Sequence, residues 1–348
     1  MLFKLGALIM HPVSKFVLLA LALLFPVWAG AGNEYQVQVM AKSFIIIIAV
    51  YGFNIITGYC GQLNLAHGGF FAIGAYAVGL LTVDAGWNYW PALVAALLIT
   101  GVLGFLVGAV SLRLREDYFA IFTLCVGSII YLLIEKWDGL THGVIGVRNI
   151  SAPDGFGIVD FRKTNAMYYL VLFFLVFIVW FTSRIQNSLI GRTFIAIRNG
   201  DDLAESLGIN LMKTKILAFV ISTTYAGLAG ALYAGMIRVL GPEDANVLQT
   251  FNMLMYMLVG GIGTLFGPLV GTLGVTWITE SLQFLEAYRM IIFGPLLVIL
   301  VIFFPLGVCG SFLVWMHRKA QALGLGPKKV QAESKVKTSG SQEANNNA

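Results

Sequence analysis

Ten apolar runs, at about 16–32, 43–59, 68–84, 90–112, 118–135, 167–184, 216–238, 248–263, 265–282 and 290–306, carry no Asp, Glu, Lys or Arg in their interiors. About 20 apolar residues suffice to cross a bilayer as a helix. In hydrocarbon every backbone amide must be bonded internally, which leaves helices or closed barrels. No alternating ten-residue pattern of the barrel kind is present. The expected fold is therefore an all-α, polytopic transmembrane helical bundle of about ten spans. The run at 248–263 is short and rich in glycine, and so the weakest of the ten. Only 11% of the residues are charged, where soluble domains average about 25%, and this agrees with a membrane protein.

The same lack of charge narrows the function. Proton relays, voltage sensors and ion-coupled pumps keep ionisable groups at membrane depth. A membrane enzyme needs a general base, a metal cluster or an activated nucleophile. The four histidines, His11, His67, His142 and His317, are scattered, and Cys60, Cys125 and Cys309 lack metal-ligand spacing. No catalytic residue and no metal site is expected. A phosphate-binding loop requires a Gly-Lys step, and the sequence has none. Any ATP-driven transport must take its energy from a separate ATPase.

Basic residues mark the orientation. With the 191–215 loop inside, the cytoplasmic segments hold 15 Lys and Arg and the outside holds 7. Both termini are then cytoplasmic. Lys4 and Lys15 before Phe16–Trp28, with Ala29-Gly30-Ala31 after, resemble a secretion signal. The length of the run and the charge bias favour its retention. Residues 1–317 read as the membrane domain, with a cytoplasmic loop at 185–215. Residues 318–348 are polar and read as a disordered cytoplasmic tail. The net charge of +5 is spent at helix ends, and nucleic acid is not an expected partner.

Four motifs stand out. The loop GRTFIAIRNGDDLAESLGINLMKTK at 191–215 is longer than a reversal needs. Asp201 or its neighbour is placed to cap a two-turn helix over Asp202–Leu207, with Asp202 favoured by the helix dipole. Gly208 suits the left-handed stop. Leu203, Ala204 and Leu207 form a small apolar side that fits a groove on another protein. Packing of that side back on the membrane domain is the plainer alternative. The second motif, 51–76, gathers Asn54, Gln62, Asn64 and His67 among glycines. It reads equally as a translocation path or as a turn followed by a tightly packed helix. Third, Ser222, Thr223 and Thr224 could line a path or bond back to their own helix. Fourth, Gly263, Gly267 and Gly271 recur every four residues, with Pro268 beside them. That spacing serves close helix packing, or else a hinge.

Six segments occur together in one order: GQLNLAHGGFFAIGAY at 61–76, RLREDYFAIFTL at 113–124, WDGLTHG at 137–143, GRTFIAIR at 191–198, AESLGIN at 204–210 and GGIGTLFGP at 260–268. Over residues 43–312 the chain resembles the permeases of branched-chain amino acid ABC importers, of the LivM type. It departs from that pattern at Asn64, where the family often has Ser, and in the acidic run at 199–202.

The resemblance implies a homologous second permease, two cytoplasmic ATPases carrying ATP and Mg, and an external solute-binding protein. It implies residence in the bacterial inner membrane, and no cofactor on this chain. It maps ATPase coupling onto Arg198–Gly208. Leu203, Ala204 and Leu207 would be the anchors, with Arg198, Asp201, Asp202 and Glu205 as a polar rim. Relatives of this type serve branched-chain amino acids, urea, amides or aromatic acids. The alternative from another class is a passive channel for a small neutral solute.

Overall fold

Helix α1, Glu34–Phe53, runs through the middle of the molecule. Its stretch Phe44–Phe53 is buried on every side, as expected of a helix apolar all round. The reference frame is a computed structural model. It describes residues 20, 22–26, 34–114, 116–155 and 160–281, all within the unit Ala20–Gly310. The expected run at 290–306, the possible signal cleavage at 29–31, Cys309 and the tail at 318–348 lie outside the described residues. Of the run at 16–32, residues 20 and 22–26 are described, and they are helical.

The described helices are nearly all apolar. After α1 the chain widens into a π-helical turn, Asn54–Tyr59, and leaves the helix at Gly61, whose φ is +81°. Then come α2, His67–Val83, α3, Tyr89–Ser111, and α4, Glu116–Lys136. A one-turn helix α5, Asp138–Thr141, and strand β1, Val147–Arg148, follow. Next are α6, Thr164–Asn187, α7, Leu189–Asn199, α8, Asp201–Ser206, and α9, Leu211–Ile237. Strand β2, Val239–Leu240, pairs antiparallel with β1. Helices α10, Val247–Gly260, and α11, Gly267–Ser281, close the described chain.

Among the described residues, five segments are long and apolar enough to cross a membrane: Glu34–Tyr59, Tyr89–Ser111, Asp117–Lys136, Thr164–Asn187 and Leu211–Ile237. The chain is a multi-pass membrane protein. Burial sorts these segments: 83% of the apolar window of the first is buried, against 22% for α4. So α1 belongs to the core, while α4 presents most of its surface outward.

One expected span is shorter than its run. Helix α10 has 14 residues. At 1.5 Å per residue it is about 21 Å long, against a hydrocarbon core of about 30 Å. The reason is local: Gly261 and Gly263 adopt φ of +116° and +73°, which ends α10 and turns the chain back. Helices α10 and α11 form a hairpin around the turn 261–266.

The core is a seam of small residues. Helix α9 buries Ala226, Gly227, Ala229, Gly230, Ala231 and Ala234. A Cβ on Gly230 would run into the Phe71 carbonyl, and one on Gly74 into the Gly227 backbone. Between α3 and α9 each helix seats a threonine on a glycine of the other: Thr223 on Gly104 and Thr100 on Gly227. Without a hydrophobic force between helices in lipid, such close backbone approach supplies the dispersion contact that holds a bundle.

Candidate coupling site and its membrane junction

Helices α7 and α8 lie between the end of α6 and the start of α9, on one face of the bundle. The β1–β2 pair and the hydrogen bond between His142 Nε2 and the Asp84 carboxylate, 3.1 Å, mark the opposite face. Three devices shape the hairpin. The Ser188 hydroxyl accepts from the Gly191 amide and starts α7. Gly200, at φ +155°, separates α7 from α8. After α8 the Gly208 amide donates to the Glu205 carbonyl at 2.8 Å and the Ile209 amide to the Ala204 carbonyl at 3.1 Å. With Gly208 at φ +80°, this is a Schellman stop. Asn210 then caps α9 by accepting from the Lys213 amide.

Several expectations need correction here. Asp201 does not cap α8. Gly200 occupies the N-cap without a side-chain bond, and the helix begins at Asp201 itself and ends at Ser206. The Asp201 carboxylate instead accepts from Lys215 Nζ at 2.5 Å. The Lys215 side chain is nearly buried, so this pair ties α8 to the first turn of α9. Ala204 is 0% exposed and faces inward, so it supports α8 from beneath and offers no surface to a partner. Leu203 and Leu207 are 61% and 70% exposed, and they form the outward apolar pair. Asp202 and Glu205 are exposed around them.

Arg198 also differs from its assigned place on a polar rim. Its guanidinium turns back into the membrane domain, where Nη1 donates to the Gly58 carbonyl at 2.5 Å. Helix α7 itself was absent from the sequence reading. Its signal is Ser188 followed by Gly191, Phe194 and Ile197, the buried face of a helix capped at Ser188. The other face exposes Leu189, Ile190 and Ile195.

The polar residues of the second motif are all buried, and most have structural partners. Asn54 is a clamp: its amide nitrogen donates to the Thr264 carbonyl at 3.0 Å, and its oxygen accepts from the Gly263 amide at 2.8 Å. His67 stacks on Phe53 and bonds the Ala49 carbonyl through Nε2 at 2.9 Å. Its Nδ1 lies 3.4 Å from the Ser222 hydroxyl. The Asn64 oxygen accepts from the Ala66 amide, while Asn64 Nδ2 and Gln62 Nε2 are buried without a hydrogen-bond partner. Thr223 and Thr224 both bond back to the Val220 carbonyl. In the fourth motif, Gly267 packs against Gly260, and Gly271 against Gly260 and the Tyr256 carbonyl, at the α10–α11 crossing. Pro268 sits in the first turn of α11. Among the described residues no group of three or more His, Cys, Asp or Glu can hold a metal ion.

Residues 35–301 match the family model described as the branched-chain amino acid transport system permease component. The chain belongs to this permease family. It is similar to the high-affinity branched-chain amino acid transport permease LivM of Salmonella typhimurium, 30% identical over 85% of this chain and 75% of the relative. The LivM of Escherichia coli K12 gives the same figures. Similarity extends to LivH of Escherichia coli K12, 25% identical over 76% of this chain and 90% of that protein. No solved structure matches. Family membership sets aside the passive-channel alternative.

Proposed function

We propose that this chain is the membrane subunit of an ATP-driven importer that carries branched-chain amino acids into the cytoplasm. It works in the bacterial inner membrane with both termini inside, beside a related second permease. Two cytoplasmic ATPases bind ATP and Mg and supply the driving force. A solute-binding protein outside delivers and selects the solute. The observation that carries the coupling role is the exposed Leu203–Leu207 pair on a helix stopped at both ends by glycine. A rigid helix offering two leucines suits a groove on a partner, since little ordering entropy is lost on docking.

The chain's own residues divide the labour. Helix α8 receives the partner, and Lys215 with Asp201 fixes α8 to α9. The glycine seam of α9 passes displacement to α2 and α3 as a rigid unit. The absence of charge from the interiors of the apolar runs suits passage of a zwitterion without tight binding. The test is uptake of labelled leucine into vesicles holding the assembled transporter. Uptake should need hydrolysable ATP and the external binding protein. ATP-independent uptake by this chain alone would contradict the proposal.

A further inference from the structure

Three stretches far apart in sequence meet at one arginine. Gly58 presents its carbonyl to the Arg198 guanidinium. Gly61, at φ +81°, lies against the arginine stem, where a Cβ would come within 3.2 Å of Arg198 Cγ. Gly263, at φ +73°, lies against the guanidinium, and a Cβ there would also sit 2.9 Å from the Gly58 carbonyl. The Asn54 amide bonds both sides of the same turn, at Gly263 and Thr264. Tyr51 donates to the Leu265 carbonyl at 2.7 Å, one residue further on. Arg198 therefore sits in a cradle of three glycines. It joins the last turn of α7 to the π-helical end of α1 and the α10–α11 turn.

We propose that Arg198 is a latch: it transmits movement of the α7–α8 hairpin to the end of α1 and the turn of the α10–α11 hairpin. The reading rests on α8 being the ATPase dock. The chemistry suits the task. A guanidinium keeps its charge and offers a planar fork of donors, so it can hold carbonyl oxygen through a displacement. The π-helical turn is a frequent site of functional adjustment in helices. Gly61 and Gly263 occupy backbone conformations that disfavour side chains, so the cradle is specific to glycine at both places. Arg198 acts through backbone groups and so is a positioning residue, separate from the leucines that dock.

The experiment uses the assembled transporter and compares wild type with Arg198→Ala and Arg198→Lys. ATPase retention on purification, ATP hydrolysis and solute uptake are measured on each. Arg198→Ala should keep its ATPase, while solute moved per ATP falls by about 5- to 150-fold, the range of ordinary coupling energies. Arg198→Lys, which keeps a charged donor, should restore part of that loss. In the isolated chain, amide exchange in peptides covering 54–66 and 261–267 should quicken in Arg198→Ala. If that variant does not fold, Arg198→Gln, which keeps a single uncharged donor nitrogen, takes its place. Loss of ATPase in step with uptake would return Arg198 to the docking rim and overturn the latch. Unchanged uptake per ATP, or unchanged exchange, overturns it too. If wild type retains no ATPase, the docking reading fails instead, and the exchange comparison alone decides the latch.

Discussion

Helices α8 and α9 are neighbours in sequence with opposite construction. Along α9, small residues face the contact: Gly227 seats the Thr100 side chain of α3 and meets the Gly74 backbone of α2, and Gly230 lies against the Phe71 backbone of α2. Along α8, two leucines point away from the molecule and the small Ala204 is beneath them. The first arrangement removes side chains so that helices behave as one body. The second leaves apolar area uncovered, which a single chain gains nothing by doing. The contrast separates a part that holds the bundle from the part proposed above to dock a partner.

The seam offers the largest expected effect. Gly230→Leu forces a side chain into the Phe71 backbone. Overpacking a core costs about 1–3 kcal/mol, and backbone-on-backbone contact places this change at or above the upper end. The folded, monodisperse fraction in detergent should collapse. A variant that melts like wild type would show that the seam is looser than described.

Asn54→Ala follows, at about 2 kcal/mol, because it empties a buried amide site and leaves the half-buried Gly263 amide and Thr264 carbonyl without the clamp. Thermal unfolding reads the loss. An unchanged melting temperature would mean that water replaces the amide.

Asp244 gives a smaller, pH-dependent effect. It lies in the 3-10 turn Pro242–Ala245, and its carboxylate accepts from the Gly241 amide at 3.1 Å. Burial raises its pKa above the ordinary carboxylate value, and the Gly241 amide and Tyr233 hydroxyl pull it partly back. A raised folded value means the stability contribution is present below the unfolded pKa and lost as pH rises through the folded one. Asp244→Asn keeps an acceptor for Gly241. It should melt higher than wild type at neutral pH, and the gap should close on acidification. A gap independent of pH would contradict the assignment.

His142→Ala is the smallest change. The Asp84–His142 pair is about half exposed on both sides, so breaking it should shift stability by less than about 1 kcal/mol. A larger loss, read from the melting temperature, would make the face opposite the α7–α8 hairpin a structural partner of the seam.

These regions were unequally legible in the sequence. The absence of charge over apolar runs reports the membrane bundle directly, because the bilayer imposes one requirement on each span. The left-handed stop at Gly208 is also local, set by glycine's freedom at positive φ. Asp201 was misplaced as a cap because its real partner, Lys215, is 14 residues away, and only the folded hairpin brings them together. Arg198 was misplaced for the same reason on a larger scale, since Gly58 is 140 positions distant. The inward turn of Ala204 follows from how α8 seats on the domain. The run at 248–263 was weak as a span because its glycines end α10 early.

The central claim is that the two exposed leucines of α8 receive the ATPase. Its most direct test is co-purification of the ATPase with wild type and with Leu207→Asp, both first shown to be monodisperse with equal melting temperatures. A buried aspartate at the dock should lower ATPase retention at least about tenfold and stop ATP-driven uptake, while the isolated chain stays folded. Retention at the wild-type level would contradict the account.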